Sequence, residues 1–218
     1  GNTYSGSLEP LSAVSNVTAE LTDIITDGAD EEVDEALRER FYEKVRNPAT
    51  SGNKHHYRQW ALEVPGVGDA KVFPLDSGDG TLTVLIVDVD KARNPSLEPA
   101  VRDYIETVRP IGATVTVSSP TMRSVNVSAN VILDGTKTLD DVLAMFKSQF
   151  TEYLKSLVFV EYRVSYAKIG SLLLNIEGVQ DYDDLRLNNS TGNIIVGEKE
   201  IPAMGTVSLE EVHTIAAD

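Results

Sequence analysis

Three histidines, 34 acidic side chains, 19 basic ones and no cysteine make up the ionisable chemistry of this 218-residue sequence. Without a thiol there is no disulfide framework, thiolate metal site or cysteine nucleophile. His55 and His56 are adjacent and stand beside Tyr57, and the third histidine is His213. Neighbours on a helix point about 100° apart, so this pair is not set to grip one metal ion as two histidines four residues apart would be. The run Asp23, Asp27, Asp30, Glu31, Glu32, Asp34 and Glu35 lacks the alternating oxygens and the terminal glutamate of a calcium loop, and it reads as a solvated helix start. Ser77-Gly78-Asp79-Gly80 has neither the lysine nor the following helix of a phosphate loop. Gly66-x-Gly68 follows a helix rather than a strand, so both segments read as turns. No Gly-x-Ser-x-Gly elbow gives a serine a nucleophile's context. Asn16, Asn126 and Asn189 head glycosylation-type triplets, which carry meaning only after export. Trp60 lies on an apolar helix face and is expected in a core. The expectation is therefore no catalytic residue, no cofactor site and no metal ligand, and a chain that is not an enzyme.

The elements around these residues follow from periodicity. From Asp30 onward, Val33, Leu37, Phe41 and Val45 recur every fourth residue as a helical stripe, with Asp30 to Glu32 at the positive end of the dipole and Asn47-Pro48 as its stop. Before it, a strand is expected only around residues 15–21. Tyr57, Trp60, Ala61 and Val64 mark a second helix, ended by Pro65-Gly66. Residues 69–75 and 81–88, joined by Asp76-Ser77-Gly78-Asp79-Gly80, predict a hairpin. Leu97, Val101, Tyr104, Ile105 and Val108 predict a helix entered through Pro95 and Pro99. Strands are expected at 113–118 and 125–133, where apolar and polar residues alternate. Thr138 with Asp141 resembles a capping box ahead of a long apolar stripe from Leu139 to Leu154. Residues 158–166, β-branched and aromatic, read as a strand.

Residues 57–84 fall on residues 169–196 without a gap, an offset of 112. The helix face Tyr57, Trp60, Ala61, Val64 returns as Ile169, Leu172, Leu173, Ile176. Gly66-Val67-Gly68-Asp69 returns as Gly178-Val179-Gln180-Asp181, and Gly80 before an apolar strand returns as Gly192. The pattern predicts an internal structural repeat. A helix that hands over to a strand in a short connection wants a glycine at the joint, and both copies supply one. The fold class expected is α+β, with two consecutive helix-plus-antiparallel-sheet units, ferredoxin-like in style and related by the repeat. The divisions expected are an irregular segment at 1–28, a first α+β domain at 29–120 and a second at 121–218. The opening Gly1 and the turn composition of the first ten residues predict a piece of a longer chain. A formal charge of −15 argues against nucleic acid as a partner. No run of 18 apolar residues and no leader pattern is present, so no membrane span or secretory signal is expected.

Several strings in this sequence resemble the baseplate J-like proteins of contractile-tailed phages and prophages. They are Arg46-Asn47-Pro48-Ala49-Thr50-Ser51-Gly52-Asn53, Val64-Pro65-Gly66-Val67, Gly80-Thr81-Leu82-Thr83-Val84 and Arg109-Pro110-Ile111-Gly112-Ala113. Gly178-Val179 and Asn193-Ile194-Ile195 followed by Ile201-Pro202 and Gly205 resemble that family's C-terminal part. The resemblance implies a structural subunit of the tail baseplate, made in the host cytoplasm. Its partners would be other wedge and hub proteins and copies of itself in a six-fold assembly. The residues that carry it are structural, so no active site comes with it. Two other readings remain open at this point: a baseplate component of another contractile injection system, such as a tailocin or a secretion apparatus, and a small-ligand binding α+β domain.

Overall fold

A computed structural model describes residues 6–8, 19–21, 34–35, 37–38, 41–42 and 52–212. By its contacts the chain divides into residues 1–48 and 49–218. In the first unit, β1 (Gly6–Leu8) pairs antiparallel with β2 (Ala19–Leu21). The expected strand at 15–21 is strand in its described part, 19–21. Residues 34, 35, 37, 38, 41 and 42 are helical, and Leu37 and Phe41 of the expected stripe are exposed. Val33 and Val45 lie outside the described residues.

The second unit opens with α1 (Lys54–Leu62), capped by Asn53, whose side chain accepts from the His56 N–H at 2.9 Å. Tyr57, Trp60 and Ala61 are buried, as their spacing requires. Gly66, at φ +92°, turns the chain into β3 (Val67–Pro74), which pairs antiparallel with β4 (Thr81–Asp88) as the expected hairpin. A 3-10 turn at Pro95–Leu97 and α2 (Glu98–Val108) then carry the chain over the sheet to β5 (Thr114–Ser118). A crossover of this kind returns the strand parallel, and β5 is parallel to β4. Tyr57, Trp60, Ala61, Val84, Ile86, Val101 and Ile105 make the core between α1, α2 and this sheet.

The second sheet is centred on β6 (Thr121–Leu133), whose Val125, Val127, Ala129 and Val131 are buried in alternation. After it, α3 (Leu139–Leu157) starts with the expected capping box: Thr138 Oγ1 accepts from the Asp141 N–H and Asp141 Oδ2 accepts from the Thr138 N–H, each at 3.3 Å. β7 (Arg163–Val164) and α4 (Tyr166–Leu174) follow, then β8 (Val179–Leu187), β9 (Ile194–Ile195) and β10 (Glu200–Glu211). The sheet order is β10-β6-β8, with β10 parallel and β8 antiparallel to β6. Phe146, Phe150 and Leu154 of α3 and Ile169 and Leu173 of α4 pack on it in a second core.

The class is α+β, as expected, but each three-stranded sheet is mixed rather than antiparallel, because one connection in each is a crossover. The strand expected at 158–166 is two residues long. Val158 caps α3, Phe159 takes a positive φ of +60°, and Ser165 already caps α4. Val158 and Val164 are buried at its two ends while Val160 to Arg163 are exposed, so the segment is a turn between two helices, and that tertiary placement outweighs β-propensity. The strand expected after Gly192 pairs with β7 instead of forming a hairpin with β8. Under the offset of 112, α1 maps onto α4 from end to end, Gly66 onto Gly178 (φ +96°), and the start of β3 onto the start of β8. The correspondence stops after that strand.

Candidate functional site

Every residue of β4 from Thr83 to Val87 is buried. Alternation along a strand puts Val84 and Ile86 against the helices, so Thr83, Leu85 and Val87 face the other way. The register places Lys71 and Phe73 of β3 on that same second face, opposite Leu85 and Thr83. What covers the face comes from the second half of the unit. Val87 packs with Val158 and Ile201 in a small buried cluster, with Phe159 against it.

Charged groups surround this cluster. Lys199 Nζ donates to both oxygens of Asp76, at 2.6 and 2.7 Å, and Thr83 Oγ1 donates to Asp76 Oδ2 at 2.7 Å. Hydrogen bonds from Lys199 and Thr83 hold the Asp76 carboxyl below the usual carboxylate range. Lys71 Nζ donates to the Tyr162 hydroxyl and lies 4.3 Å from the centre of that ring and 4.7 Å from the ring of Phe73. Lys199 reaches the same Phe73 ring from 5.4 Å. The site is a joint between two sheets, packed at its centre and pinned at its rim by ion pairs and cation–π contacts.

A second charged group braces α1 against this sheet. Asp69, whose side chain is 13% exposed, accepts from Arg58 at 2.8 Å and from Lys91 at 2.7 Å. Burial pushes its carboxyl pKa up, but the hydrogen bond from Lys91 and the charge of Arg58 outweigh that, and the group titrates below its ordinary range. A carboxylate with a depressed folded pKa contributes stability above its unfolded value, about pH 4, and that contribution is lost as pH falls through the folded value. Asp69→Asn is therefore expected to be less stable than the parent near neutral pH, with the difference shrinking as pH drops below about 4. Denaturant titrations of both proteins across pH measure this, and a gap that does not change with pH would show that charge is not what Asp69 contributes.

An open cleft of about 340 Å³ beside the joint is lined by Lys54, His55, Arg58, Asp69, Lys71 and Val160, among others. Its Arg58 and Asp69 already pair with each other, and its Lys71 is taken by Tyr162. The structure separates the two neighbouring histidines. His55 lines the cleft, whereas His56 Nδ1 accepts from the Gly52 N–H and its ring lies 3.9 Å from that of Trp60. His213 lies outside the described residues, as do the acidic-run residues before Asp34. Glu35 pairs with Arg38 across one helical turn. Among the described residues, no group of three histidine or acidic side chains is placed to hold a metal ion, and no helix is long and apolar enough to cross a membrane. Ser77 to Gly80 form the hairpin turn, with Gly78 and Gly80 at positive φ. Trp60 is 7% exposed and sits in the first core. Asn126 is used structurally, its side-chain oxygen accepting from the Thr206 N–H at 2.8 Å.

The two halves that meet at the joint correspond to two known domain types. Residues 49–119 match the Baseplate J-like central domain, and residues 125–210 match the Baseplate J-like protein C-terminal domain. The chain belongs to the baseplate J-like family. It is 35% identical over 202 residues to the phage-like element PBSX protein XkdT of Bacillus subtilis, an alignment covering 89% of this chain and 58% of XkdT. It is 30% identical over 227 residues to baseplate protein gp47 of Escherichia phage Mu, covering 95% of this chain and 60% of gp47. The chain thus spans somewhat more than half the length of these relatives. Its fold is similar to a chain in the baseplate of the anti-feeding prophage, at a TM-score of 0.60 and 16% identity, covering 90% of this chain and 46% of that one. In family terms, Lys71, Asp76 and Val87 belong to the central domain, and Val158, Tyr162, Lys199 and Ile201 to the C-terminal domain. Of these seven, the sequence named only Asp76, in the hairpin linker, and Ile201, in a family-like string, and neither for a place at this joint. The continuous apolar run from Val84 to Val87 was the available signal, since a strand buried on both faces needs a second covering layer.

Proposed function

We propose that this chain is a structural subunit of a contractile-tail baseplate, acting through protein contacts in wedge assembly. The observation that carries the reading is the match of both halves to baseplate J-like domains, in the order central then C-terminal. The names of XkdT and gp47 support a phage or prophage tail as the setting. The joint supports a mechanical role, because its charged side chains are engaged in fixing one sheet against another. Its partners would be neighbouring wedge and hub proteins and further copies of the chain around the tail axis. It would reside in the tail baseplate after synthesis in the host cytoplasm, and it would perform no catalysis.

One surface feature fits a protein-contact role. Ile111 is fully exposed at the tip of the loop between α2 and β5. Arg109 fixes that loop by pairing with Glu106 and donating to the Ala113 carbonyl at 2.5 Å. A rigid apolar tip on an acidic chain is the kind of anchor that interfaces bury. The likeness to the anti-feeding prophage baseplate favours a second reading, a baseplate component of another contractile injection system. Deleting the coding sequence from its parent element and imaging the particles tests the proposal. Tails without assembled baseplates are expected, restored by the full-length protein. Intact baseplates in the deletion would overturn it, and particles that inject a protein cargo instead of DNA would favour the second reading.

A further inference from the structure

The two halves of residues 49–218 have separate cores, one under α1 and α2 and the other under α3 and α4. The chain passes between them once, at Ser119-Pro120, immediately before β6 begins. Among the described residues, none of the broad packings of one element on another crosses from 52–119 to 121–212. The contacts that cross gather at the joint. They include the cluster of Val87, Val158 and Ile201, Lys199 over the Phe73 ring, and four polar contacts: the Lys199–Asp76 pair, Lys71 with Tyr162, Lys71 with the Glu198 carbonyl, and Lys155 at 3.9 Å from Asp90.

All four of these polar contacts use a lysine, and the Asp76 and Lys199 side chains are 19% and 50% exposed. Ion pairs that reach solvent are screened by salt, and a small interface leaves relative motion of two packed bodies as the ordinary expectation. Lys199 also stands beside the crossing point, since its carbonyl accepts from the Thr121 N–H at 3.1 Å. Strain is stored at the same place, with Phe159 at φ +60° on one side of the joint and Leu75, next to Asp76, at φ +57° on the other.

We propose that residues 52–119 and 121–212 are two rigid bodies pivoting at Ser119-Pro120, held in one orientation by the Lys199–Asp76 latch, and that breaking the latch lets them swing apart while both stay folded. The proposal concerns the chain itself and stands whether or not it serves in a baseplate. Because Lys199 and Asp76 are 123 residues apart in sequence, the latch reports on tertiary placement and on nothing local.

The absence of cysteine makes the test clean. Spin labels at Asp103→Cys on α2 and Ser148→Cys on α3, both exposed positions, report the distance between the bodies by pulsed dipolar spectroscopy. The parent is expected to give one narrow distribution. Lys199→Glu sets a carboxylate against Asp76 and is expected to broaden the distribution and move its mean outward, with circular dichroism and Trp60 fluorescence unchanged. Combining it with Asp76→Lys restores the pair in reverse and is expected to restore the narrow peak. A narrow, unmoved distribution in a folded Lys199→Glu protein overturns the proposal. If that variant unfolds, the labelled parent is measured from low salt to about 1 M, where the screening length falls to about 3 Å. Broadening with salt supports the latch, and no change overturns it.

Discussion

Truncating Phe150 to alanine is expected to lower the stability of the chain by about 3 to 5 kcal/mol, the range for removing a large buried aromatic. Phe150 has no exposed surface, and its ring stacks on Phe146 at 5.6 Å between centroids and 14° between planes. It lies mid-helix in α3 and projects into the core formed with β6, β8 and α4. Most residues of that core belong to helices and strands, which limits how far the site can relax around the missing ring, so a cavity contribution adds to the lost transfer free energy. At roughly 2 to 4 °C per kcal/mol for a chain of this size, the thermal midpoint drops by on the order of 10 °C. Far-ultraviolet circular dichroism reads this for the whole chain, while Trp60, the only tryptophan, reports the other core. Ile111→Ala, at a fully exposed position, is the control and is expected to stay within about 0.5 kcal/mol of the parent. A Phe150→Ala protein with an unshifted transition would mean that the packing around α3 is wrong.

The difference between Phe150 and Phe159 also shows how far the sequence could be read. Phe150 sits in a helical stripe that begins at a capping box, so periodicity and the cap agree, and the structure gives α3 with only small changes at its ends. Phe159 sits in a run of β-branched and aromatic residues, alternating from Val160 to Tyr166, that suggested a strand, where the chain makes a turn with Val160 to Arg163 exposed. Helices α1, α2 and α3 were legible because a helix shows its buried face within four residues of its own sequence. Sheet polarity was not, because whether β5 returns parallel or antiparallel depends on where α2 lies over the sheet. β10 stayed hidden for a related reason: Pro202, Gly205 and acidic ends break the pattern of a strand that is nevertheless paired to β6 along most of its length. The joint was the least legible part, since Lys71, Asp76, Tyr162 and Lys199 are ordinary surface residues in sequence and meet only after two domains have folded and docked.

Gly68→Ala is expected to cost on the order of 3 kcal/mol, and the same change at its counterpart under the offset, Gln180→Ala, less than about 0.5 kcal/mol. Both positions are the extra residue of a bulge. Val67 pairs with Asp88 and Asp69 with Val87, which leaves Gly68 unpaired. Val179 pairs with Leu133 and Asp181 with Ile132, which leaves Gln180 unpaired. The neighbours decide the difference. A Cβ on Gly68 would lie 2.2 Å from the Asp88 carbonyl oxygen and 2.6 Å from the Val89 Cα, both backbone atoms that cannot turn aside. Gln180 already carries a side chain and is exposed. The clash at Gly68 would push away the turn after β4, which carries Lys91 at φ +59° to its pair with Asp69. Gly68→Ala should therefore also weaken the pH dependence that Asp69 imparts, because the hydrogen bond depressing its pKa comes from that turn. Equilibrium unfolding of the two variants near neutral and acidic pH measures both effects together. Equal midpoints for Gly68→Ala and the parent would show that the strand can shift to admit a methyl group, and that glycine at this bulge is not required by space.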